Sequence, residues 1–396
     1  MYAIKAGLIH TAVDEPVKDG VIIIKDGKIA DIGQNVSIPE GFETIDATKN
    51  QVLPGMIDAH THLGVMVDGV GQEGSDGNEM SNPFTPHLRA LDAIDPFDPT
   101  FNEVLRVGIT TVMIMPGSAN TIGGQCSVLK TVGKAVEDMV LLENAGMKFA
   151  LGENPKRVYG SQNKEPFSRM GIAAIIRENL TRAKEYLSKK NKAKNNEDEK
   201  TPDLNFKYEA LADVLSGKTK AHFHCHKAHD IVTAIRIARE FGLNITLEHC
   251  TEGIKVIDKI AQSGFPVILS PLMSPRTKIE TSGRNFEIAG KLAEEGITVA
   301  ISTDGISIRS KWLPLDAGIC VRHGMKEKDA IRAITINPAK IIDIAHRKGS
   351  LEKGKDADLV ITMGHPLETR TRTALVMMEG KIQHLDEKNL TSPMKK

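Results

Sequence analysis

The sequence predicts an α/β fold, with a (β/α)8 TIM barrel in the middle of the chain and a small β domain built from both termini. Three observations lead to this prediction. The 396 residues exceed the usual size of one domain. Short apolar runs alternate with helical patterns through the middle of the chain, as in a parallel sheet covered by helices. Short β-type runs occupy both ends of the chain.

Both termini have the pattern of short strands. Ala3–Thr11 and Val21–Ile32 are apolar runs with polar breaks, and Asp26-Gly27 is a hairpin signal inside the second run. The C-terminal end repeats this pattern in Ala357–Thr362, Ala374–Met378 and Lys381–Leu385. We therefore expect residues 1–54 and 346–396 to form one small domain around a barrel of residues 55–345.

Eight β-type runs fall inside the expected barrel. They are Gly55–Asp58, Thr110–Met115, Gln125–Thr131, Phe149–Gly152, Ala221–Cys225, Ile245–Glu248, Pro266–Ser270 and Ile297–Ser302. Helical patterns separate most of them, for example Asp230–Phe241, which carries its apolar residues on one face. Eight such units over roughly 300 residues favour a closed barrel over an open sheet.

Two segments do not have the pattern of a packed element. Lys189–Lys200 is almost wholly polar and predicts a solvated insertion or a frayed helix end. Asp68–Asn82 is rich in Gly, Asp and Ser and follows a pair of histidines, so we expect a mobile loop beside the active site.

Composition excludes several classes of protein. Lys plus Arg and Asp plus Glu both number 51, and the resulting zero net charge argues against a nucleic-acid partner. No apolar run approaches the length that a membrane span needs. The N-terminus lacks the charged segment followed by an apolar segment that is typical of a signal peptide. Four cysteines are too few for a disulfide framework. We expect a reduced, cytoplasmic protein that forms a homo-oligomer and has no membrane partner.

Imidazoles and carboxylates occur at the ends of five of the eight predicted strands. These residues are His60 and His62, Glu153, the group His222, His224 and His226, then His249, and finally Asp304. Each motif alone is weak, since a polar residue where a strand meets solvent is ordinary. Together they lie at the carboxyl face, where barrel enzymes build their active sites, and they predict a metal site. A ligand set without thiolate suits Zn²⁺, Mn²⁺ or Fe²⁺. Cys225 and Cys250, each next to a predicted ligand, are interpreted as core thiols.

The run Leu53–His62, taken with His224, His249 and Asp304, resembles the metal-dependent amidohydrolase superfamily, and more narrowly its imidazolonepropionase-related members. The resemblance covers nearly the whole chain. It implies that the paired terminal segments form a small β-sandwich. It also implies a hydrolase that acts on carbon–nitrogen bonds and that needs a divalent metal, with Zn²⁺ the first expectation.

The resemblance also implies roles for the ligands. His60, His62 and Asp304 would bind one metal, His224 and His249 a second, and a ligand from the fourth strand would bridge them. In many relatives that ligand is a carboxylated lysine. Lys148 lies five positions before Glu153, about 16 Å along an extended strand and on its opposite face. We therefore expect Glu153 to be this ligand, and one occupied metal site stays possible.

The expected chemistry is hydrolysis of a small amide by metal-activated water, with Asp304 as the general acid and base. His226 would touch the substrate or polarise its carbonyl, and a purely structural role for this residue is the alternative. Arg157, Tyr159 and Arg309 are candidates for binding a substrate carboxylate. Few aromatic residues occur, so a small N-acyl amino acid, dipeptide or cyclic amide fits best.

Other functions stay open at this point. A deaminase of the same superfamily is the nearest alternative, although no carboxylate closely follows His224. Imidazolonepropionase itself is disfavoured, because that enzyme uses one metal and has no bridging Glu on the fourth strand. A non-catalytic relative would have lost ligands, whereas every expected ligand position is filled. A lyase or isomerase would differ by not incorporating solvent oxygen.

Overall fold

The computed structural model describes residues 1–196 and 198–390, which form two sheets and a layer of helices. The strands are β1 (Tyr2–Ile9), β2 (Val17–Lys25), β3 (Lys28–Gly33), β4 (Glu43–Pro54), β5 (Met56–Thr61), β6 (Ile109–Ile114), β7 (Ile122–Lys130), β8 (Val140–Ala150), β9 (Ala221–Cys225), β10 (Ile245–His249), β11 (Val267–Leu269), β12 (Val299–Ile301), β13 (Leu359–Thr362), β14 (Thr373–Met378) and β15 (Lys381–Leu385). The helices are α1 (Thr100–Arg106), α2 (Val136–Met139), α3 (Glu153–Gly160), α4 (Arg169–Asn195), α5 (Phe206–Leu215), α6 (Ala228–Phe241), α7 (Ile257–Ser263), α8 (Ile288–Glu294), α9 (Leu313–Arg322), α10 (Glu327–Ala333) and α11 (Ile336–Ile341).

The eight strands β5 to β12 form the TIM barrel that the alternating pattern predicts. They neighbour one another in chain order, so each strand pairs with the next. Hydrogen bonds close the ring between its first and last members. Asp304 N–H donates to the His60 carbonyl at 3.1 Å, and His62 N–H donates to the Gly305 carbonyl at 2.9 Å. This closure brings the residue after β12 beside the histidines of β5.

One barrel strand runs against the others, which corrects the expectation of a fully parallel sheet. β7 pairs antiparallel with both β6 and β8. The connection from β6 to β7 is seven residues without a helix, and a parallel crossover needs a dozen or more. The short turn α2 joins β7 to β8 as a second hairpin. Reversal places the start of β7, rather than its end, at the face where β6 and β8 finish.

The two termini build a single seven-stranded sheet with the strand order β15-β14-β13-β4-β1-β2-β3. β4 and β13 join the N-terminal and C-terminal parts through antiparallel pairs such as Val360 with Leu53. The predicted hairpin at Asp26-Gly27 is confirmed, because β2 and β3 pair on either side of it. The sheet has its own apolar core, separate from that of the barrel. Its packing as a two-layered sandwich stays a prediction.

A buried ion pair lies in the C-terminal segment that leads into this sheet. Lys348 Nζ lies 2.5 Å from Asp358 Oδ2, and both side chains are at most 3% exposed. The other carboxylate oxygen of Asp358 accepts the Glu379 N–H at 2.7 Å. Burial raises the pKa of Asp358, so the lysine is needed to keep this carboxylate charged.

We expect Lys348→Met to lower the free energy of unfolding by about 3 kcal/mol, because it leaves the Asp358 carboxylate buried without its cation. Chemical denaturation of the purified variant measures this effect. Lys353→Met is the matched control, because Lys353 is exposed and such surface changes stay within about 0.5 kcal/mol. Equal stability of the two variants would contradict the importance of the pair.

The polar run Lys189–Lys200 continues α4 to Asn195 as an exposed helix end, which fits the frayed-helix interpretation; Glu197 lies outside the described residues. Within the described ranges, no helix has both the length and the apolarity that a membrane span requires.

Candidate active site

A cavity of about 380 Å³ opens at the carboxyl ends of the barrel strands. Side chains from β5, β8 and β9, together with the residues that end β10 and follow β12, line its floor. Loops that follow β6, β8, β11 and β12 form its walls. Its size is within the range of sites for small molecules. In the described part of the chain, no Phe, Tyr or Trp lines it, which agrees with the expectation of a small substrate.

The first candidate metal-ligand cluster consists of His60, His62 and Asp304. Asp304 Oδ1 lies 3.2 Å from His62 Nε2 and 3.5 Å from His60 Nε2. Asp304 has a positive φ of 50°, which turns the chain directly after β12. The Arg309 guanidinium donates to the Asp304 carbonyl at 2.6 Å and fixes this turn.

The outer hydrogen bonds of this cluster leave nitrogen lone pairs pointing inward. His62 Nδ1 lies 2.8 Å from the Met115 carbonyl, which only accepts, so Nδ1 carries the proton. His60 Nδ1 likewise donates to Glu248 at 2.7 Å. In the neutral rings, both Nε2 atoms then present lone pairs towards a carboxylate oxygen. This arrangement is repulsive alone and favourable around a cation, so it fits a divalent metal.

The charges in this cluster set the protonation of its members. Burial acts to raise the pKa of Asp304, but the neighbouring imidazoles and Lys148 outweigh it and hold the pKa below its usual range. Burial, reinforced by Lys148, lowers the pKa of His60 to about 4. At neutral pH the cluster therefore contains an ionised carboxylate and a neutral His60, the forms that bind metals.

The second cluster consists of His224, His226 and His249, whose ligand atoms lie within 4.8 Å of one another. His249 Nδ1 donates to the Ser270 carbonyl at 2.7 Å, and its Nε2 is buried with no hydrogen-bond partner among the described residues. His224 Nδ1 is also buried and lacks a partner there. Two buried imidazole nitrogens without partners are costly unless something binds them. Their positions fit a second metal.

A buried carboxylate that the sequence did not indicate holds His224. Glu280 Oε1 lies 3.4 Å from His224 Nε2, and the side chain of Glu280 is 1% exposed. Burial acts to raise the pKa of Glu280, but the hydrogen bond to His224 and the histidine charges lower it to about 2. This ionised carboxylate keeps the proton of His224 on Nε2 and leaves Nδ1 free.

Glu153, the expected fourth-strand ligand, belongs to neither cluster. Its carboxylate accepts the Glu280 N–H at 3.1 Å, while Glu280 accepts the Glu153 N–H at 2.9 Å. The prediction fails because β8 ends at Ala150, and Gly152, with φ of 89°, turns the chain into α3. Counting an unbroken strand as far as Glu153 gave the wrong position. Glu153 instead ties the start of α3 to the segment that carries Glu280.

Lys148 occupies the place expected for Glu153. It pairs laterally with His222 across β8 and β9, and its Nζ lies 3.0 Å from His60 Nε2. The side chain is buried and lines the cavity. The expectation that Lys148 lies far from the active face and points away from it is therefore wrong. Its long side chain reaches from inside the barrel to the first cluster.

Glu248 is a second buried carboxylate at the site that the sequence motifs did not indicate. Its two carboxylate oxygens each lie 2.7 Å from an imidazole Nδ1, one on His60 and the other on His222. It orients a ligand histidine from beneath, a common arrangement at metal sites. A signal existed in the sequence, because a Glu inside an apolar strand must find a partner. As expected, His222 lies deeper than His224 and does not line the cavity.

The other predicted residues divide into those inside and those outside the cavity. His226, Arg157 and Arg309 line it. His226 donates to or accepts from Thr251 Oγ1 at 2.7 Å, and its ring stacks on His249 at 4.5 Å. Tyr159 does not line the cavity. It is fully buried and donates to Asn120 Oδ1 at 2.5 Å, so its expected contact with substrate does not fit the structure.

The glycine-rich segment Asp68–Asn82 contributes to the cavity wall through Asn78 and Met80. Asn78 Oδ1 accepts the Ala119 N–H at 3.0 Å, which joins this segment to the loop after β6. A side chain at Gly117 would clash with Asn78 at 2.2 Å, so this glycine permits the contact. Mobility of the segment stays a prediction.

Cys225 and Cys250 are buried free thiols in the apolar core, as expected.

Comparisons with known proteins give a consistent result. The model of the amidohydrolase family matches residues 51–387. The chain is 26% identical to the amidohydrolase tasK of Hapsidospora irregularis, over 94% of this chain and 41% of that protein. It therefore spans about two fifths of the length of that relative. It is also 26% identical to an imidazolonepropionase of Geobacillus sp. (strain WCH70), over 87% of this chain and 84% of that protein.

Solved structures extend this comparison. An amidohydrolase from Thermotoga maritima MSB8 superimposes with a TM-score of 0.94 at 39% identity, over 98% of this chain and all of that one. A Xaa-Pro dipeptidase with bound methionine has a TM-score of 0.59 at 18% identity, over 96% of this chain and 99% of the other. The second similarity is one of fold alone.

Proposed function

We propose that this chain, which belongs to the amidohydrolase family and is a hydrolase of carbon–nitrogen bonds, cleaves a small amide at the cavity above the two clusters. Two observations carry the proposal. The Nε2 atoms of His60 and His62 face the Asp304 carboxylate, and buried nitrogens of His224 and His249 have no hydrogen-bond partner among the described residues. These donors suit a divalent cation better than any other occupant.

The family is generally metal-dependent, and we propose one or two ions per chain, with Zn²⁺ first and Mn²⁺ or Fe²⁺ as alternatives. His60, His62 and Asp304 would hold one ion, and His224 and His249 the other. When bound, such an ion would supply Lewis acidity towards a carbonyl and lower the pKa of water.

In this proposal the chain's own residues manage the protons and the orientation of the substrate. Asp304 is ionised, so its carboxylate accepts the proton of the attacking water and returns it to the leaving nitrogen. Arg309 holds the backbone of Asp304 in place. His226 faces the substrate from the second cluster, and Arg157 and Arg309 attract a substrate carboxylate.

Lys148 replaces Glu153 in the proposal as the ligand between the clusters. Burial lowers the pKa of its amine, which favours the neutral form. A neutral amine adds carbon dioxide: an N–C bond forms, one proton leaves, and a negatively charged carbamate results. Such a group next to His60 would supply the anionic oxygens that a pair of cations requires.

We also propose that residues 1–54 and 346–396 form one domain, a small β-sandwich made by curling of the seven-stranded sheet; residues 391–396 of this range lie outside the described residues. Residues 55–345 would be the barrel domain. The separate apolar core of the terminal sheet supports this division.

Two other activities are less disfavoured by the structure than by the sequence. Glu280 brings a carboxylate close to His224 and His226, although it is bonded to the Glu153 backbone and does not line the cavity. The argument against imidazolonepropionase activity relied on a bridging Glu153, so it no longer holds. Cyclic amides therefore belong in the test, together with amino-substituted rings as deaminase substrates.

The experiment is a screen of N-acyl amino acids, dipeptides, cyclic amides and amino-substituted rings with metal-loaded protein. Mass spectrometry in ¹⁸O-labelled water identifies products and separates hydrolysis from elimination or isomerisation. We expect an amide to be cleaved with one solvent oxygen incorporated. Ammonia from an amino-substituted ring, without any amide cleavage, would identify a deaminase instead.

Prolonged chelation should abolish this activity and lower the melting temperature, because an ion that binds only the folded chain stabilises it. Calorimetry before and after chelation measures the shift, and added Zn²⁺ should restore both properties. Full activity after removal of the ion would contradict the proposal.

A further inference from the structure

Three arginines line the cavity without a direct salt bridge to a carboxylate. In the ranges that the structure describes, Arg157, Arg284 and Arg309 form no salt bridge. The hydrogen bonds of the Arg284 and Arg309 guanidiniums go to backbone carbonyls: Arg284 to Ser274 and Pro275, and Arg309 to Asp304. Backbone carbonyls are neutral, and the nearby carboxylates of Asp304 and Asp316 offset only part of the charge of Arg284 and Arg309.

The positions of these arginines in the barrel divide them into two groups. Arg157 belongs to α3, which follows β8. Arg309 lies after β12, and Arg284 lies in the segment after β11. In a ring of eight strands, β8 and β12 are four strands apart and therefore on opposite sides. Arg157 thus approaches the cavity from one side, and Arg284 and Arg309 approach it from the other.

The charge balance of the cavity favours an anionic occupant. Among the described residues that line the cavity, Asp304 is the one carboxylate, and it already belongs to the first cluster. Lys278 adds a cation, which lies 4.0 Å from Glu280. Burial and then the nearby charge of Arg309 lower the pKa of Arg284, which means that the two guanidiniums repel each other. A carboxylate bound between them would remove this repulsion, and guanidinium groups bind carboxylates through two parallel hydrogen bonds.

Building on the proposed function, we propose that the substrate carries a carboxylate on each side of the amide bond that is cleaved. One carboxylate binds Arg157, and the other binds Arg284 and Arg309. Because the guanidiniums come from opposite sides of the barrel, we assign them to two separate carboxylates rather than to one anionic group. The substrate class is an N-acyl amino acid whose acyl group is itself a dicarboxylic acid, such as an N-succinyl or N-glutaryl amino acid.

Four matched compounds test this proposal with the metal-loaded enzyme. They are N-succinyl-L-alanine, N-(4-methylpentanoyl)-L-alanine, and the C-terminal amides of both. The 4-methylpentanoyl group has the shape of succinyl without its charge, and the C-terminal amide removes the second carboxylate. We expect each carboxylate to raise kcat/KM at least ~10-fold, in line with charge-assisted hydrogen bonds.

Variants assign each carboxylate to its arginine. Arg157→Gln should reduce the advantage of one carboxylate to below ~3-fold, and Arg284→Gln should do the same for the other. Arg284→Lys keeps the charge but loses the paired hydrogen bonds, so it should retain part of the advantage and show that the variant folds. Lys156→Gln is the control for Arg157, because Lys156 is the neighbouring cation and does not line the cavity.

The outcomes separate this inference from the proposed function. Faster cleavage of the uncharged compounds would overturn the two-carboxylate substrate while leaving amide hydrolysis intact. Loss of the same carboxylate's advantage in both arginine variants would overturn the assignment to opposite sides. If no amide in the wider screen is cleaved, the proposed function itself is wrong.

Discussion

Asp304→Asn is expected to lower kcat at least ~10²-fold while the protein keeps most of its metal, because an amide cannot take up the proton of water. The change preserves the shape of the side chain and one oxygen towards His62. Asparagine also tolerates the left-handed backbone that Asp304 adopts, so the turn after β12 should survive. Turnover and metal content, measured on the same preparation, separate catalysis from metal binding.

Asp258→Asn provides the control, since Asp258 is an exposed carboxylate on α7 and does not line the cavity. Its turnover should stay close to that of the unmodified protein. An Asp304→Asn protein within a few-fold of normal turnover would remove Asp304 from proton transfer. Inactive protein without metal would restrict Asp304 to the role of a ligand.

Lys148→Met should lower activity at least ~10²-fold and reduce the bound metal, because it removes the group proposed to bridge the two clusters. Methionine fills the buried space of the lysine stem without its amine, so the barrel should still fold. Activity of the unmodified protein should also increase when bicarbonate is added to protein prepared without carbon dioxide. Metal analysis, steady-state kinetics and a thermal melt on the variant check these expectations.

Glu153→Gln is the matched contrast. Its remaining oxygen can still accept the Glu280 N–H, so metal and most activity should be retained. The opposite pattern, in which Lys148→Met is active and Glu153→Gln has lost its metal, would contradict the position of β8 described above. It would also restore the ligand set expected from the sequence.

The sequence predicted those parts of the site that follow from strand alternation. His60 and His62, two residues apart, point to the same cluster, and His224, His226 and His249 meet in the other, as expected for strand ends on one face of a barrel. Asp304 joins the first cluster because the barrel closes between β12 and β5. Local periodicity and the fold class together are therefore sufficient to predict that these residues meet in the two clusters.

The errors have local causes that periodicity does not encode. A positive φ at Gly152 ends the alternation of β8, so Glu153 leaves the strand and Lys148 keeps the inward position. A short connection reverses β7, although its apolar pattern is that of any barrel strand. Glu280 reaches His224 from a segment 56 residues further along the chain, a contact that no spacing rule indicates.

The most direct test of the account is the amount of metal per chain in protein purified from metal-replete medium. Elemental analysis should find one or two equivalents of a divalent transition metal, with less in a His60→Ala/His62→Ala variant and in a His224→Ala/His249→Ala variant. A content below about 0.2 per chain in the unmodified protein, with no gain on incubation with Zn²⁺, would contradict the central claim that these clusters bind catalytic metal.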